Sequence, residues 1–299
     1  MSAADTMTFD TPPAFGPIYR KVLFGKKRPG LRAGATLPQL AAECKGVRID
    51  AANLALYRSV CHIEGGAAVP LLYPHVLTGS LHLAIMTHEA FPLSMMGAVH
   101  LRNHVLGRRV LDPAEPFDIH CSLDAHRPAK AGVELDVSTT LTDASGARAW
   151  ESISTYLVRG KFGEAVELPA RVNIAEVEPT AEVAAWFVPS GTGRKYARVC
   201  GDWNPIHIST ITAKLFGFKS EIVHGMWAAA VCLGKLPEAG GAEQCDLLFK
   251  GPTFMRSKVR LLRADADGGS RFDLFCGSNP KPSIAAWRRP VNASAKLVG

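Results

Sequence analysis

Apolar residues in this chain gather into two long runs and a series of short, imperfectly alternating ones. The run from His224 to Leu236, His-Gly-Met-Trp-Ala-Ala-Ala-Val-Cys-Leu-Gly-Lys-Leu, is almost wholly apolar, which predicts a helix buried on all sides. The run from Pro74 to Ile85 reads the same way. Alternating segments predict strands at Gly97 to His104, Phe117 to Asp124, Val133 to Thr142 and Ser152 to Arg159. A second set lies at Gln244 to Lys250, Phe254 to Arg263, Arg271 to Gly277 and Pro282 to Arg288. A buried helix followed by four strands, twice over, is an internal repeat. Ahead of each helix, Tyr57-Arg-Ser-Val-Cys61 echoes Tyr196-Ala-Arg-Val-Cys200.

The repeat divides the chain into a first unit over 1–165, a turn-rich linker over 166–182 and a second unit over 183–299. The first ~35 residues read as an extended arm with a short element, and the last ten as a frayed end. The two units differ in one spacing. Tyr196 to His224 is 28 residues, whereas Tyr57 to His75 is 18. The first unit therefore lacks a segment of about ten residues that the second unit has between Asp202 and Phe216.

Composition narrows the class. With 299 residues, 47% hydrophobic and 20% charged, the chain can build substantial cores and is not broadly disordered. No apolar run reaches the ~18 residues of a membrane span, and the N-terminus resembles neither a signal nor a transit peptide. Seven cysteines without a Cys-x-x-Cys pair suggest free thiols in a reducing compartment, so a cytoplasmic protein is the simplest expectation. The net charge of +7 is spread out or clustered at the ends, as in Arg20-Lys21, Lys26-Lys-Arg28 and Arg288-Arg289. No basic stripe interleaved with aromatics points to nucleic acid, whereas a phosphate-bearing ligand or an acidic carrier protein suits a mild excess.

The candidate chemistry lies in Gly201-Asp-Trp-Asn-Pro-Ile-His207, followed by Phe216-Gly-Phe218 and Ile222-Val-His-Gly-Met226. Asn204 is a good N-cap and Pro205 suits a first helical position, predicting a helix from Pro205 to Phe216 closed by Gly217. Asp202, in the turn before it, and His207, in its first turn, can then face one cleft and share a water. Gly225 opens the second apolar helix, where unpaired amides at the positive end of the dipole can stabilise a developing oxyanion. Lys250 and Arg256 follow that helix and are candidates for contacting phosphates; Trp203 reads as packing. His82 and His88 lie on the first apolar helix with His75, but their spacing of six does not suit a metal site, and none is expected. A Gly-x-Ser-x-Gly nucleophile is absent, and Gly191-Thr-Gly193 lacks the features of a P-loop.

The run from Tyr196 to His207, with Phe216-Gly-Phe218 and His224-Gly-Met226, resembles the hydratase-2 motif of the MaoC-like (R)-specific enoyl-CoA hydratases. That resemblance implies an α+β double hot-dog fold, in which two long helices are each wrapped by a curved antiparallel sheet and the motif lies in the second unit. It implies cofactor-free, reversible hydration of trans-2-enoyl thioesters to (R)-3-hydroxyacyl thioesters. Asp202 would be the base toward water and His207 the handler of the second proton, with the Gly225 amide on the carbonyl and Asn204 holding the corner. Tyr196 and His224 would be substrate contacts. The missing segment of the first unit would make room for the acyl chain along Val76 to Phe91, and His62 and Glu64 are poor substitutes for the missing pair. The partner is an acyl-CoA or acyl-carrier-protein thioester, and a homodimer is compatible with all of this. The rival readings are a dehydratase for carrier-protein, branched or dicarboxylic substrates, a non-catalytic acyl-thioester binding module, and a thioesterase.

Overall fold

The computed structural model describes all residues except 1–3, 25–27, 33, 67, 161, 163–173, 238–239, 293 and 298–299. Part of the expected linker, including Glu167, lies outside the described residues.

Two apolar helices organise the molecule, as their composition demands. The first, α3 (Pro74–Met86), starts with proline where a missing N–H is harmless. It stops before His88, which had been expected on it. The second, α6 (Gly225–Gly234), buries Met226 through Cys232 without a break. A helix apolar around its whole circumference has to be enclosed, and each large side chain so buried contributes about 1.5–3 kcal/mol.

The enclosure is a sheet with eleven strands among the described residues: β1 (Asp5–Phe9), β2 (Leu40–Arg48), β3 (Val99–Gly107), β4 (Pro116–Ala129), β5 (Gly132–Thr142), β6 (Arg148–Arg159), β7 (Ala181–Val188), β8 (Glu243–Phe249), β9 (Ser257–Ala266), β10 (Gly269–Cys276) and β11 (Ile284–Pro290). Their order is β1-β2-β4-β5-β6-β3-β8-β11-β10-β9-β7. The order 2-4-5-6-3 in the first unit is repeated as 7-9-10-11-8 in the second, and the two meet at the antiparallel β3–β8 pair, with Arg102 opposite Leu248 and Val105 opposite Cys245. Among the described strands, only β1 runs parallel to its neighbour. Register shifts in β2, β3, β4 and β7 bend the strands, which lets a sheet close around a helix.

Each unit also has a helix ahead of its central one: α2 (Ala51–Val60) and α4 (Thr192–Cys200), which carry the repeated Tyr-x-x-Val-Cys sequences. They cross-link the halves. Asn53 Nδ2 donates to Val199 O at 3.0 Å, Tyr73 Oη donates to Asn53 Oδ1 at 2.9 Å, and the Tyr57 and Tyr196 rings lie 6.3 Å apart.

The expected helix from Pro205 to Phe216 forms in two pieces. A single turn of 3-10 helix covers Pro205–His207, and the short helix α5 covers Thr210–Leu215. Ser209 interrupts them in an extended conformation, its Oγ accepting from Thr212 N at 3.2 Å. Serine and threonine here satisfy the backbone locally and so compete with a continuous helix. The N-terminal segment contains β1 and a ten-residue helix, α1 (Phe15–Phe24). None of the described helices is long and apolar enough to cross a membrane.

Candidate active site

The 3-10 turn and the head of α6 bring three polar side chains together. Ligand-capable atoms of Asp202, His207 and His224 all lie within 4.8 Å of one another, a span one water can bridge. Gly193 permits this, because a Cβ there would come within 2.1 Å of the His207 carbonyl oxygen. Helix α4 can therefore press on the turn bearing His207. Asn204 holds the turn by accepting from Ile206 N at 3.3 Å.

Backbone partners fix both imidazoles. His207 Nδ1 donates to Ile222 O at 2.9 Å, so its Nε2 is left for chemistry. His224 Nε2 donates to the Asp202 carbonyl oxygen at 2.9 Å, clamping the loop that carries the acid. The two rings stack at 3.7 Å. Burial, then the neighbouring His224, lowers His207 to about 3 despite the favourable Asp202 charge. His224 is also lowered, by burial. Both are neutral at physiological pH. A carboxylate neighbour alone would raise a histidine; here desolvation wins.

Asp202 behaves oppositely. Burial opposes its ionisation, but His224, His207, the Tyr19 hydroxyl and the Asn204 amide outweigh burial and hold the carboxyl below its ordinary range. Two donors reach Asp202 Oδ1 directly, Tyr19 Oη and Asn204 N, the latter at 3.0 Å. The carboxylate is enclosed by protein yet keeps 35% of its side-chain surface open, as a group facing a cavity does. Tyr19 comes from α1, and its neighbour Phe15 packs over Gly201, where φ is +75° and a Cβ would meet the ring at 2.3 Å.

The site opens into a cavity of about 520 Å³. Asp202, Asn204, His207, His224, Gly225 and Tyr196 all line it. Tyr196 packs its ring 5.1 Å from His224. Gly225 is the first residue of α6, whose opening amides have no partner within the helix. A side chain there would strike Phe249 at 2.8 Å. From the run Val76 to Phe91, the residues Gly79, His82, Leu83 and Met86 reach the cavity. Lys250 lies at its rim, exposed.

Other expected residues go elsewhere. Arg256 is not among the residues lining the cavity; its guanidinium bonds Thr210 Oγ1 at 3.0 Å, Ser220 Oγ at 3.1 Å and Glu221 at 3.2 Å. Its positive φ of 56° and its pairing make it a staple between α5 and the loop before α6. Trp203, expected as packing, is 45% exposed. His62 and Glu64 are exposed and do not line the cavity. Tyr19 escapes sequence reasoning because it stands 183 residues from its partner, in what reads as an arm. The trio is also near enough to hold a cation. Each histidine, however, already spends one ring nitrogen on a carbonyl, and water fits the remaining atoms equally.

The family of MaoC-like domains matches residues 163–260. The 3-hydroxyacyl-thioester dehydratase X of Mycobacterium tuberculosis is 31% identical over 255 residues, covering 85% of this chain and 90% of that protein. The crystal structure of HtdX from the same organism superposes with a TM-score of 0.71 at 28% identity, covering 84% of this chain and all of that one. A MaoC-like dehydratase from Phytophthora capsici shares the fold, with a TM-score of 0.68 at 20% identity over 87% of this chain and 98% of its own. The sheet order repeated around two buried helices is the double hot-dog fold, and with that extent of shared sequence the chain belongs to the MaoC-like dehydratase family.

Proposed function

We propose that this chain interconverts (R)-3-hydroxyacyl and trans-2-enoyl thioesters by removing or adding water, without a cofactor. The observation carrying this reading is the Asp202–His207 pair, gathered within a water's reach beside the opening amides of α6 in one cavity. The relative from Mycobacterium tuberculosis bears the name of the same reaction class.

In hydration, the lone pair of His207 Nε2 takes one proton from water as the oxygen bonds to C3 of the enoyl thioester. The C2–C3 electron pair shifts onto the thioester, and the Gly225 amide holds the enolate oxygen. Donors of this kind contribute about 3–4 kcal/mol in comparable sites. The imidazolium then gives its proton to C2, while Asp202 accepts a hydrogen bond from the O–H that stays on C3 as the product hydroxyl and offsets the imidazolium charge. Both additions occur on one face. This assignment reverses the roles expected from sequence, on geometric grounds: the Ile222 carbonyl takes the Nδ1 proton of His207 and leaves the Nε2 lone pair open, whereas Asp202 Oδ1 already accepts from Tyr19 Oη and Asn204 N. Lys250 at the rim suits the phosphates of coenzyme A.

The test is loss of the enoyl-thioester ultraviolet absorbance of crotonyl-CoA, with chiral assignment of the product. Conversion to the (R)-3-hydroxyacyl product, unaffected by EDTA, is expected. Thiol release without hydration would make the protein a thioesterase, and loss of activity with EDTA would make the trio a metal centre.

A further inference from the structure

Part of the cavity lining beyond the catalytic pair is not what a purely hydrocarbon chain requires. His75 opens α3, His82 lies two turns further along it, and His100 and Tyr156 sit opposite each other on β3 and β6; all four line the cavity. Their rings form a contiguous set, with His75 5.5 Å from His100, His100 4.8 Å from Tyr156, and His75 5.7 Å from His82. His82 is fully engaged, Nδ1 with Tyr156 Oη at 2.9 Å and Nε2 with Thr139 Oγ1 at 2.6 Å. It has no nitrogen left for a ligand. By contrast, His75 Nδ1 and His100 Nε2 are shielded from solvent and have no hydrogen-bond partner.

Buried polar atoms without partners are costly, and proteins keep few of them. Two on adjacent rings at one cavity wall mark a place where something polar docks. Burial lowers His75 to about 4 and His100 well below its ordinary range, so both rings are neutral there. A neutral imidazole offers one donor and one acceptor. That matches a hydroxyl, which both gives and takes a hydrogen bond, better than a carboxylate. For a hydroxyl in the cavity to reach either nitrogen, that ring would have to turn about Cβ–Cγ.

We propose that His75 and His100 form a polar subsite for an acyl chain carrying a hydroxyl group beyond C3, so that the protein favours oxygenated over plain acyl thioesters. This rests on the acyl-thioester reading above and refines its substrate class. Around the subsite, Leu83, Met86, Met95 and Val99 supply the apolar lining for the methylenes on either side.

The experiment is calorimetric binding of saturated acyl-CoA thioesters of equal length, plain or with one hydroxyl walked along the chain. Wild type, His75→Leu, His100→Leu and the milder His75→Asn and His100→Gln are compared, each checked for cooperative thermal unfolding. One hydroxyl position should tighten binding about tenfold in wild type, and the preference should vanish in the leucine variants and survive in part in the milder ones. Equal binding at every position, a preference unchanged in the variants, or tightest binding by a terminal carboxylate would overturn the proposal. Saturated ligands need no turnover. A hydroxyl preference without crotonyl-CoA hydration would therefore sink the reaction and leave the subsite, and the reverse result would do the opposite.

Discussion

Tyr19 donates to Asp202, the carboxylate that in the proposed mechanism must stay ionised to hold the water, and it does so from a helix distant in sequence. Its own ionisation is suppressed, by burial first and by Asp202 next, so it acts only as a donor. Removing the hydroxyl takes away a bond that favours the charged carboxyl, and the Asp202 pKa must rise. Activity that needs the carboxylate is lost as pH falls through that pKa. Tyr19→Phe should therefore move the acid limb of the kcat/KM profile to higher pH and lower kcat about tenfold; an unchanged limb would remove Tyr19 from the account. Asp202, His207, Asn204 and Gly225 could be expected at one cleft from sequence because they fall within one local motif, and all four line the cavity. Tyr19 could not, because only tertiary folding brings α1 to the motif.

The segment from Pro205 to Leu215 works as a turn and a short helix tied down at several points. Gly193 lets α4 lie against the His207 carbonyl, and Arg256 ties Thr210, Ser220 and Glu221 together. A methyl group at Gly193 has no room, so the turn must move. Gly193→Ala should cut kcat by roughly 100-fold, as displacements near 1 Å can, while far-ultraviolet circular dichroism stays native. Arg256→Met should lower the melting temperature and leave KM for crotonyl-CoA within about twofold, whereas Lys250→Glu should raise it severalfold through repulsion of the phosphates. A KM shift in Arg256→Met would restore that residue to the coenzyme site. The sequence pattern correctly anticipated a helix start at Asn204-Pro205. It missed the break at Ser209, because local serine and threonine bonding is weakly marked in sequence.

At the scale of the molecule, the repeat was the strongest signal, and all eight alternating segments became strands. Strands β1, β2 and β7 were not anticipated. Leu40–Arg48 and Ala181–Val188 both contain alanine and glutamate, residues of low strand propensity, and become strands through their pairing with β4 and β9. Burial also sets the acid stability. His75 and His207 are lowered to about 4 and about 3, while the unfolded chain protonates its histidines near 6.5. Between these values the unfolded state binds more protons, so stability present above pH 6.5 drains away as pH falls. The melting temperature should drop steadily from pH 7 to pH 4, and His75→Phe should flatten that slope; a flat wild-type profile would mean these imidazoles are not held neutral.

The central claim is that Asp202 and His207 jointly hold the water that is added. Its most direct test is steady-state hydration of crotonyl-CoA by Asp202→Asn and His207→Gln, with melting temperatures measured alongside. Each variant should keep a cooperative transition and lose about 100- to 10,000-fold in kcat. Wild-type turnover in either folded variant would contradict the assignment of that residue and, with it, the shared water.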